Sequence, residues 1–225
     1  STCSFSTGIG EYFTPCCTNP NSCGSPSTNF GYQIARSGGS YIALGSIYGF
    51  PTGTTNKRDY LKGQLSSTLQ TGKTYCLTFF YNTMNTVKYV SNRFGAYVDD
   101  SSISSYYCYE DIPIVPQAEN NPGTFMNDTL NWVKIQNSFV AIGNENIITL
   151  GNFVDSATIQ FQLFNSGGNY TPEYLIDDVS LIPMDLAPFA SNDTSNVLGD
   201  SVYIGRPSEV GLDDDCFWYV LGNST

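Results

Sequence analysis

The side chains that could do chemistry in this chain of 225 residues are carboxylates, tyrosines and cysteines; histidine is absent. Without an imidazole there is no Ser-His or Cys-His pair to activate a nucleophile. Paired carboxylates remain, and two of them flanking a sugar bond are the equipment of glycoside hydrolysis. The visible acidic clusters are Glu110-Asp111 and Asp213-Asp214-Asp215. Both fall in stretches that read as loops, where charge runs serve mainly as solvated surface. The sequence names no catalytic residue, and an enzyme is the minor expectation.

Two other constellations point to binding. Asp177 and Asp178 sit inside Tyr174 to Ile182, which alternates as a strand and puts Asp177 on a face with Leu175, Val179 and Leu181. A buried carboxylate needs a partner. One reading is hydrogen bonding to backbone amides or a salt bridge; the other is a structural Ca²⁺, which takes hard oxygen ligands. Tyr106, Tyr107 and Tyr109 lie in a long segment, Ser101 to Met126, with Pro113, Pro116 and Pro122. Long loops in compact domains tend to be functional or disordered. These tyrosines read either as a stacking platform for sugar rings or as a satellite cluster anchoring their own loop.

Of the seven cysteines, Cys3, Cys16, Cys17 and Cys23 crowd the N-terminus, while Cys76, Cys108 and Cys216 stand alone. With no histidine and no pair of CxxC motifs, a zinc site is a poor fit. Disulfides in an oxidising, extracellular setting are expected, and the six cysteines before residue 185 allow about fifteen full pairings. Cys216 is left over, and its partner is expected beyond Thr225. The sequence holds no recognisable secretion signal, and with disulfides expected the chain is read as a processed or trimmed product.

Composition narrows the partners. The net charge is −11 and the Lys and Arg residues are scattered singly, which excludes the basic footprint of a nucleic-acid binder. An anionic membrane surface would repel the chain, and its apolar runs fall far short of the roughly 20 residues of a membrane span.

The elements that must hold these groups are strands. Sixteen Tyr and 14 Phe against 3 Met, with no stretch of helical periodicity, describe an all-β chain. Asp59 to Asn82 reads as a central hairpin: a strand through Leu61, a turn at Gln70-Thr71-Gly72-Lys73, and a strand with Tyr75, Leu77, Phe79 and Tyr81 on one face. Residues 1–30 read as an irregular, cross-linked region. Short strands are expected at Tyr32–Arg36, Tyr41–Leu44, Arg93–Val98, Trp132–Val140, Asn146–Phe153, Thr158–Phe164 and Tyr174–Ile182. Such a series of short strands and turns makes a sandwich, a jelly roll above all, over residues 1–184. Residues 185–225 read as a linker and two further strands, Asp200–Gly205 and Cys216–Val220. These cannot bury a core alone. They are expected to pack with downstream sequence, on the jelly roll, or on another copy by strand addition, which would make the chain a filament subunit.

Several stretches together resemble one family. They are Phe30-Gly-Tyr-Gln-Ile-Ala-Arg-Ser-Gly38 with Tyr41, Arg58-Asp-Tyr-Leu61, Leu65 to Tyr75, Asn92-Arg-Phe-Gly-Ala-Tyr97, Gly151-Asn-Phe153 and Tyr174-Leu-Ile-Asp-Asp-Val-Ser-Leu181. In this order they look like the galactose-binding-like, carbohydrate-binding-module-type jelly rolls of large secreted proteins in gliding Bacteroidota. Those proteins are typically cell-surface adhesins exported by the type IX system. The resemblance covers roughly residues 25–184, and the tail from Ala190 resembles the start of the immunoglobulin-like modules that often follow. It implies an extracellular, non-enzymatic module for adhesion or glycan contact, with cell-surface or environmental glycans and neighbouring modules or copies as partners. It supports the calcium reading, with Asp177, Asp178 and backbone carbonyls near Gly39 and Ser40 as ligands. The short opening strand of the family, with an Asn and a Phe-Glu pair, has no counterpart in the sequence. In such a host, Asp-Thr-Leu (128–130), Asp-Ser-Ala (155–157) and Asp-Ser-Val (200–202) match sites of O-glycosylation, at Thr129, Ser156 and Ser201. The sequons at Asn127, Asn169, Asn192 and Asn223 are discounted.

Overall fold

The computed structural model describes residues 11–17, 19–48, 57–103, 112, 114–168 and 171–184. The chain divides into two units, Ser1–Leu186 and Ala187–Thr225, and every described residue belongs to the first. The expected tail strands at Asp200–Gly205 and Cys216–Val220 lie outside the described residues.

The first unit is a β-sandwich. One antiparallel sheet has five strands: β1 (Glu11–Phe13), β4 (Tyr41–Gly45), β13 (Glu173–Pro183), β6 (Thr74–Thr83) and β10 (Val133–Val140), side by side in that order. The facing sheet has four: β5 (Leu61–Gln64), β11 (Ile147–Gly151), β8 (Gly95–Asp99) and β9 (Ala118–Glu119). Two small ribbons pair β2 (Ser27–Thr28) with β3 (Gly31–Tyr32), and β7 (Tyr89–Ser91) with β12 (Phe161–Leu163). One turn of helix, α1 (Pro20–Cys23), precedes β2.

Alternation decides which side chains meet between the sheets. Leu77, Phe79 and Tyr81 of β6 and Ile135 of β10 point inward from one sheet; Ala96 and Val98 of β8 with Ile148 and Leu150 of β11 point inward from the other. The odd face of β6 is this core, and its even face is covered too, so that all of β6 but Thr74 is buried. The placement of β6 between β13 and β10 follows from that, as its aromatics on both faces require.

The hairpin expected over Asp59 to Asn82 is not formed. β5 pairs with β11 in one sheet, whereas β6 pairs with β13 and β10 in the other. Residues 65–73 cross between sheets, because Leu61 and Leu65 must reach the same core as Leu77 and Phe79 from the opposite side. A second correction concerns the N-terminus. Glu11–Phe13 is a regular strand that pairs with β4 at the edge of the first sheet, with Phe13 fully buried against Tyr41. The Cys17–Cys23 disulfide then ties the last residue of α1 to the segment before it. Cys16 is an exposed thiol and Cys76 a buried one; Cys3, Cys108 and Cys216 lie outside the described residues.

One end of the core is polar. The Tyr174 hydroxyl accepts the Ser91 amide (2.8 Å) and meets the Ser91 hydroxyl (2.9 Å), which meets Ser46 Oγ (3.3 Å). Asn152 donates to Ser46 Oγ (2.9 Å), and Arg58 Nη1 to the Asn152 carbonyl (2.9 Å). Each of these groups is buried and the chain of bonds satisfies most of them.

Both outer faces carry a further layer. On the first sheet, the segment around Phe30 and Ala35 lies against Phe13, Tyr41 and Leu175. On the second, Ile103, Ile112 and Ile114 of the β8–β9 connection pack with Tyr60, Tyr97 and Phe153.

Candidate functional site

An aromatic cluster gathers where the β2–β3 ribbon lies over the first sheet, with Phe13 and Tyr41 buried in it and Tyr32 exposed at its edge. Phe13 and Tyr41 stack at 5.2 Å between ring centroids, Phe30 meets Phe13 edge-on at 6.4 Å, and Trp132 meets Tyr41 edge-on at 5.9 Å. These pairings fix the rings as a wall. Trp132 is oriented by donating Nε1–H to the Ile34 carbonyl (2.9 Å). Gly31 sits at φ +135°, and a side chain there would run into Asn85. The close approach lets Asn85 Oδ1 accept the Tyr32 amide (3.2 Å) and brings Asn85 to the rim. The result is a small depression with about 10 Å³ of free space, with Phe13, Phe30, Tyr32 and Tyr41 as its aromatic lining and Gln33, Asn85 and Thr28 as its polar lining. Tyr32 is 58% and Ile34 60% exposed. The Tyr32 ring can stack an apolar ring face, and Gln33 and Asn85 beside it can offer amide donors and acceptors to hydroxyl groups.

Asp177 and Asp178 occupy an irregularity in β13. The register shifts between Asp177 and Ser180, and Asp178 takes φ +47°. The expected alternation therefore breaks: Leu175 and Asp177 share the outer face, while Leu181 lies opposite Leu77 and packs on the inner core. Asp177 Oδ2 accepts the Arg36 amide and Oδ1 the Asp178 amide, each at 2.8 Å, and the Ser37 amide also bonds to this carboxylate. Asp178 pairs with the Arg36 guanidinium and accepts the Ser37 hydroxyl. The guanidinium in turn lies 3.5 Å above the Phe80 ring. Burial pushes the Asp177 carboxyl above its ordinary range, against the pull of the three amides.

Every oxygen of the two carboxylates thus already accepts an N–H or O–H donor, with a cation alongside. The residues as placed form a hydrogen-bonded anchor for the Arg36–Ser37 loop. Gly39 and Ser40 follow in that loop, where Gly39 backs onto Pro15. Asp177→Asn is expected to cost about 1–2 kcal/mol by turning one acceptor into a donor facing amides. Urea unfolding in EDTA and in calcium checks this: the loss should be the same in both.

The other sequence-marked residues are dispersed. Tyr106, Tyr107, Tyr109, Glu110, Asp111 and Ser201 lie outside the described residues. The loop's described ends, Ile103 and Ile112, sit in the cluster with Tyr60, Tyr97 and Phe153. Thr129 and Ser156 are half-buried, each next to an Asp that organises its own turn: Asp128 Oδ1 accepts the amides of Leu130 (2.9 Å) and Asn131 (2.8 Å), and Asp155 Oδ1 that of Ala157 (2.8 Å).

Sequence reasoning missed an acidic trio. Glu173 lies opposite Gly45 across the β13–β4 ladder, and Glu11 lies opposite Ala43 on the other side of β4. Asp59 reaches the same end of β4, where its Oδ2 accepts the Gly45 amide (2.9 Å) and the Tyr48 hydroxyl (2.6 Å). Gly45 leaves the space that the Tyr48 ring fills. Burial, then the charges of Glu11 and Asp59, push the Glu173 carboxyl up to about 7. Burial raises Glu11 and Asp59 as well. Nothing in the local sequence marks three carboxylates at positions 11, 59 and 173 as neighbours; only strand pairing does. Among the described residues no three or more acids, cysteines or histidines group closely enough to hold a metal ion.

No protein-family model matches this chain, and no curated protein matches it. Among solved structures it is similar to the CBM22-1 xylan-binding domain of Xyn10C from Paenibacillus barcinonensis, at 9% identity and a TM-score of 0.35, over 69% of this chain and 79% of that one. It is also similar to the CBM22-1 and GH10 modules of endo-1,4-β-D-xylanase 10B from Clostridium thermocellum, solved with xylohexaose, at 16% identity and a TM-score of 0.36. That match covers 70% of this chain and 24% of the xylanase chain. Similarity this distant carries no conclusion about ligand, and the assignment of the sandwich rests on the strand pairing itself.

Proposed function

We propose that this chain is a non-catalytic, extracellular glycan-binding module of a larger cell-surface adhesin. The observation that carries the reading is the exposed Tyr32 ring beside the side-chain amides of Gln33 and Asn85. Sugars present apolar ring faces and dense hydroxyls, and this combination meets both. The space within the depression amounts to about 10 Å³, room for a single water, so a sugar would rest against the exposed Tyr32 at its mouth rather than enter it. The Cys17–Cys23 disulfide supports an oxidising, extracellular location. The sequence resemblance supports the context of type IX-secreted adhesins of gliding Bacteroidota, in which Thr129 and Ser156 would carry O-glycans on surface turns. Among the described residues no helix is long and apolar enough to cross a membrane.

A glycan array followed by calorimetry on the best binder tests the reading. Tyr32→Ala should weaken the glycan by about tenfold, near 1.4 kcal/mol, with the melting temperature unchanged. Failure of every glycan to bind, or equal binding by the variant, would remove this surface from consideration. The hydrolase alternative would draw on the acidic trio, because a carboxyl raised to about 7 beside others is the pattern of a proton donor. Release of reducing ends that disappears in Glu173→Gln would establish it over the binding module.

A further inference from the structure

One buried charge in this protein is left without a counter-ion. Arg58 lies just before β5, is 2% exposed, and is the largest fully buried side chain of the described residues. Its Nη1 donates to the Asn152 carbonyl (2.9 Å). Nε and Nη2 are buried as well, and among the described residues neither has an acceptor. A guanidinium does not shed its proton in a protein, and a buried charge with no partner is among the costlier arrangements.

The next residue in the chain does not supply the missing charge. Asp59 Oδ2 accepts the Gly45 amide (2.9 Å) and the Tyr48 hydroxyl (2.6 Å), and the cation that acts on this carboxylate is Lys57. The groups bonded around Arg58 are neutral. The Tyr60 hydroxyl donates to the same Asn152 carbonyl (2.7 Å), and the Asn152 side-chain amide leads through Ser46 to Ser91 and Tyr174. Nε and Nη2 occupy one edge of the planar guanidinium and aim their N–H bonds in parallel, the fork that takes both oxygens of a carboxylate. Elsewhere in the protein this fork is filled: Arg93 donates from Nε to Glu119 Oε1 (2.6 Å) and from Nη2 to Oε2 (2.9 Å). Arg58 holds the same two donors, and holds them further from water, since the Arg93 side chain is 24% exposed.

We propose that the Nε–Nη2 fork of Arg58 is a binding site for the carboxylate of a small organic acid. The carboxylate brings the negative charge that the neutral surroundings lack, and its two oxygens match the two parallel N–H bonds. A spherical halide has no such match. Charge-assisted bonds of this kind are stronger away from water than at the surface. The fork is aimed before the ligand arrives, because Nη1 is bonded to Asn152 and Asn152 is bonded to Ser46. Asn152 follows β11 of the second sheet and Ser46 follows β4 of the first, so a bound acid would strengthen the polar end at which the two sheets are joined. The acid is either free or carried on a sugar as a uronic acid; the chemistry at the fork is the same.

The full chain, dialysed into a zwitterionic buffer with a bulky sulfonate as its only anion, gives the test. Sodium formate is titrated at constant ionic strength, with chloride as the comparison. Formate in about 100-fold excess over its Kd should raise the melting temperature by roughly 5–10 °C and then saturate. In isotope-labelled protein the Arg58 Nε–H resonance, identified by its loss in Arg58→Lys, should move with the titration. The Arg93 resonance, already paired with Glu119, should stay in place. Arg58→Lys keeps the charge without the fork, Arg58→Met keeps neither, and both should lose the thermal response. Glucuronate that displaces formate at the Arg58 resonance assigns the carboxylate to a sugar acid; glucuronate without effect assigns it to a free small acid. A parent whose Arg58 resonance does not respond to formate overturns the proposal, and this measurement decides alone if neither variant folds. A thermal response that survives in both variants also overturns it, as does equal stabilisation by formate and chloride, which is an effect of salt on the whole surface.

Discussion

Glu173→Gln is expected to stabilise the protein by about 3 kcal/mol at pH 8 and to do almost nothing at pH 4. Glu173 is pushed from an ordinary 4.5 to about 7 by burial first, then by Glu11 and Asp59. A group whose folded-state pKa is raised binds its proton more tightly in the native than in the unfolded chain. Its favourable contribution is whole below about 4.5 and is lost as pH rises through about 7. A rise of about 2.5 units at 1.36 kcal/mol each gives the figure. The amide keeps the shape of the protonated acid and never ionises, so the variant escapes the loss. Urea unfolding of parent and variant across pH 4 to 8 checks it. Parallel stability curves, with no divergence between pH 4.5 and 7, would mean that Glu173 is solvated and that the trio does not act on it. Glu11 and Asp59 are raised in the same sense, so the parent itself should lose stability over this window, and the variant should lose less.

The trio also shows where a sequence stops being readable. Alternation is local, and it revealed β6, β10, β11 and β13 because each carries its pattern within a few residues. Pairing is not local. Leu61 and Leu65 read well as an inward face, yet the sequence between Gln64 and Thr74 does not say whether the chain turns back beside itself or crosses to the facing sheet. The long connection, nine residues in the structure, permits both, and the shared core with Leu77 and Phe79 decides for crossing. β1 was hidden for a different reason. Three residues hold too little periodicity to stand out beside Pro15, Cys16 and Cys17, and they become a strand only because β4 offers an edge.

The same distinction separates the candidate sites. Asp177 announced itself as a polar residue within an apolar strand, and the need for a partner was legible. That the partners are the amides of Arg36, Ser37 and Asp178 depends on a bulge that shifts every later residue of β13 by one. The aromatic cluster was less visible. Phe30, Tyr32 and Tyr41 were part of the recognised stretch, but Phe13 and Trp132 come from distant strands, and the rim depends on Gly31 yielding space to Asn85. The outer-face oxygens of Asp99 and Thr149 sit in strands whose alternation is regular, so a reader of the sequence would place both in solvent. Both are buried in the structure, and that burial comes from tertiary packing which the local pattern does not carry.

Phe79→Ala is expected to cost 3–5 kcal/mol, the largest loss from a single substitution in this core, and Phe80→Ala measurably less. Phe79 is fully buried between the sheets, opposite Ile135 in the ladder with β10, and its ring lies 6.2 Å from that of Phe94 across the core. Its neighbours are held from both sides by paired strands, so the cavity left by the ring cannot close, and the loss combines the transfer of the side chain with an unfilled void. Phe80 is nearly as buried, at 4% exposed, but it faces outward and its cover is the Arg36 guanidinium. That side chain is long and flexible, and it can settle into part of the space while keeping its ion pair with Asp178. The loss there is the cation–ring contact and part of the buried area. Urea titration of the two variants at constant slope measures the difference. Equal losses would mean that Arg36 is as rigidly held as the inner core, and that the Asp177–Asp178 anchor fixes the covering segment as firmly as strand pairing fixes the sheets.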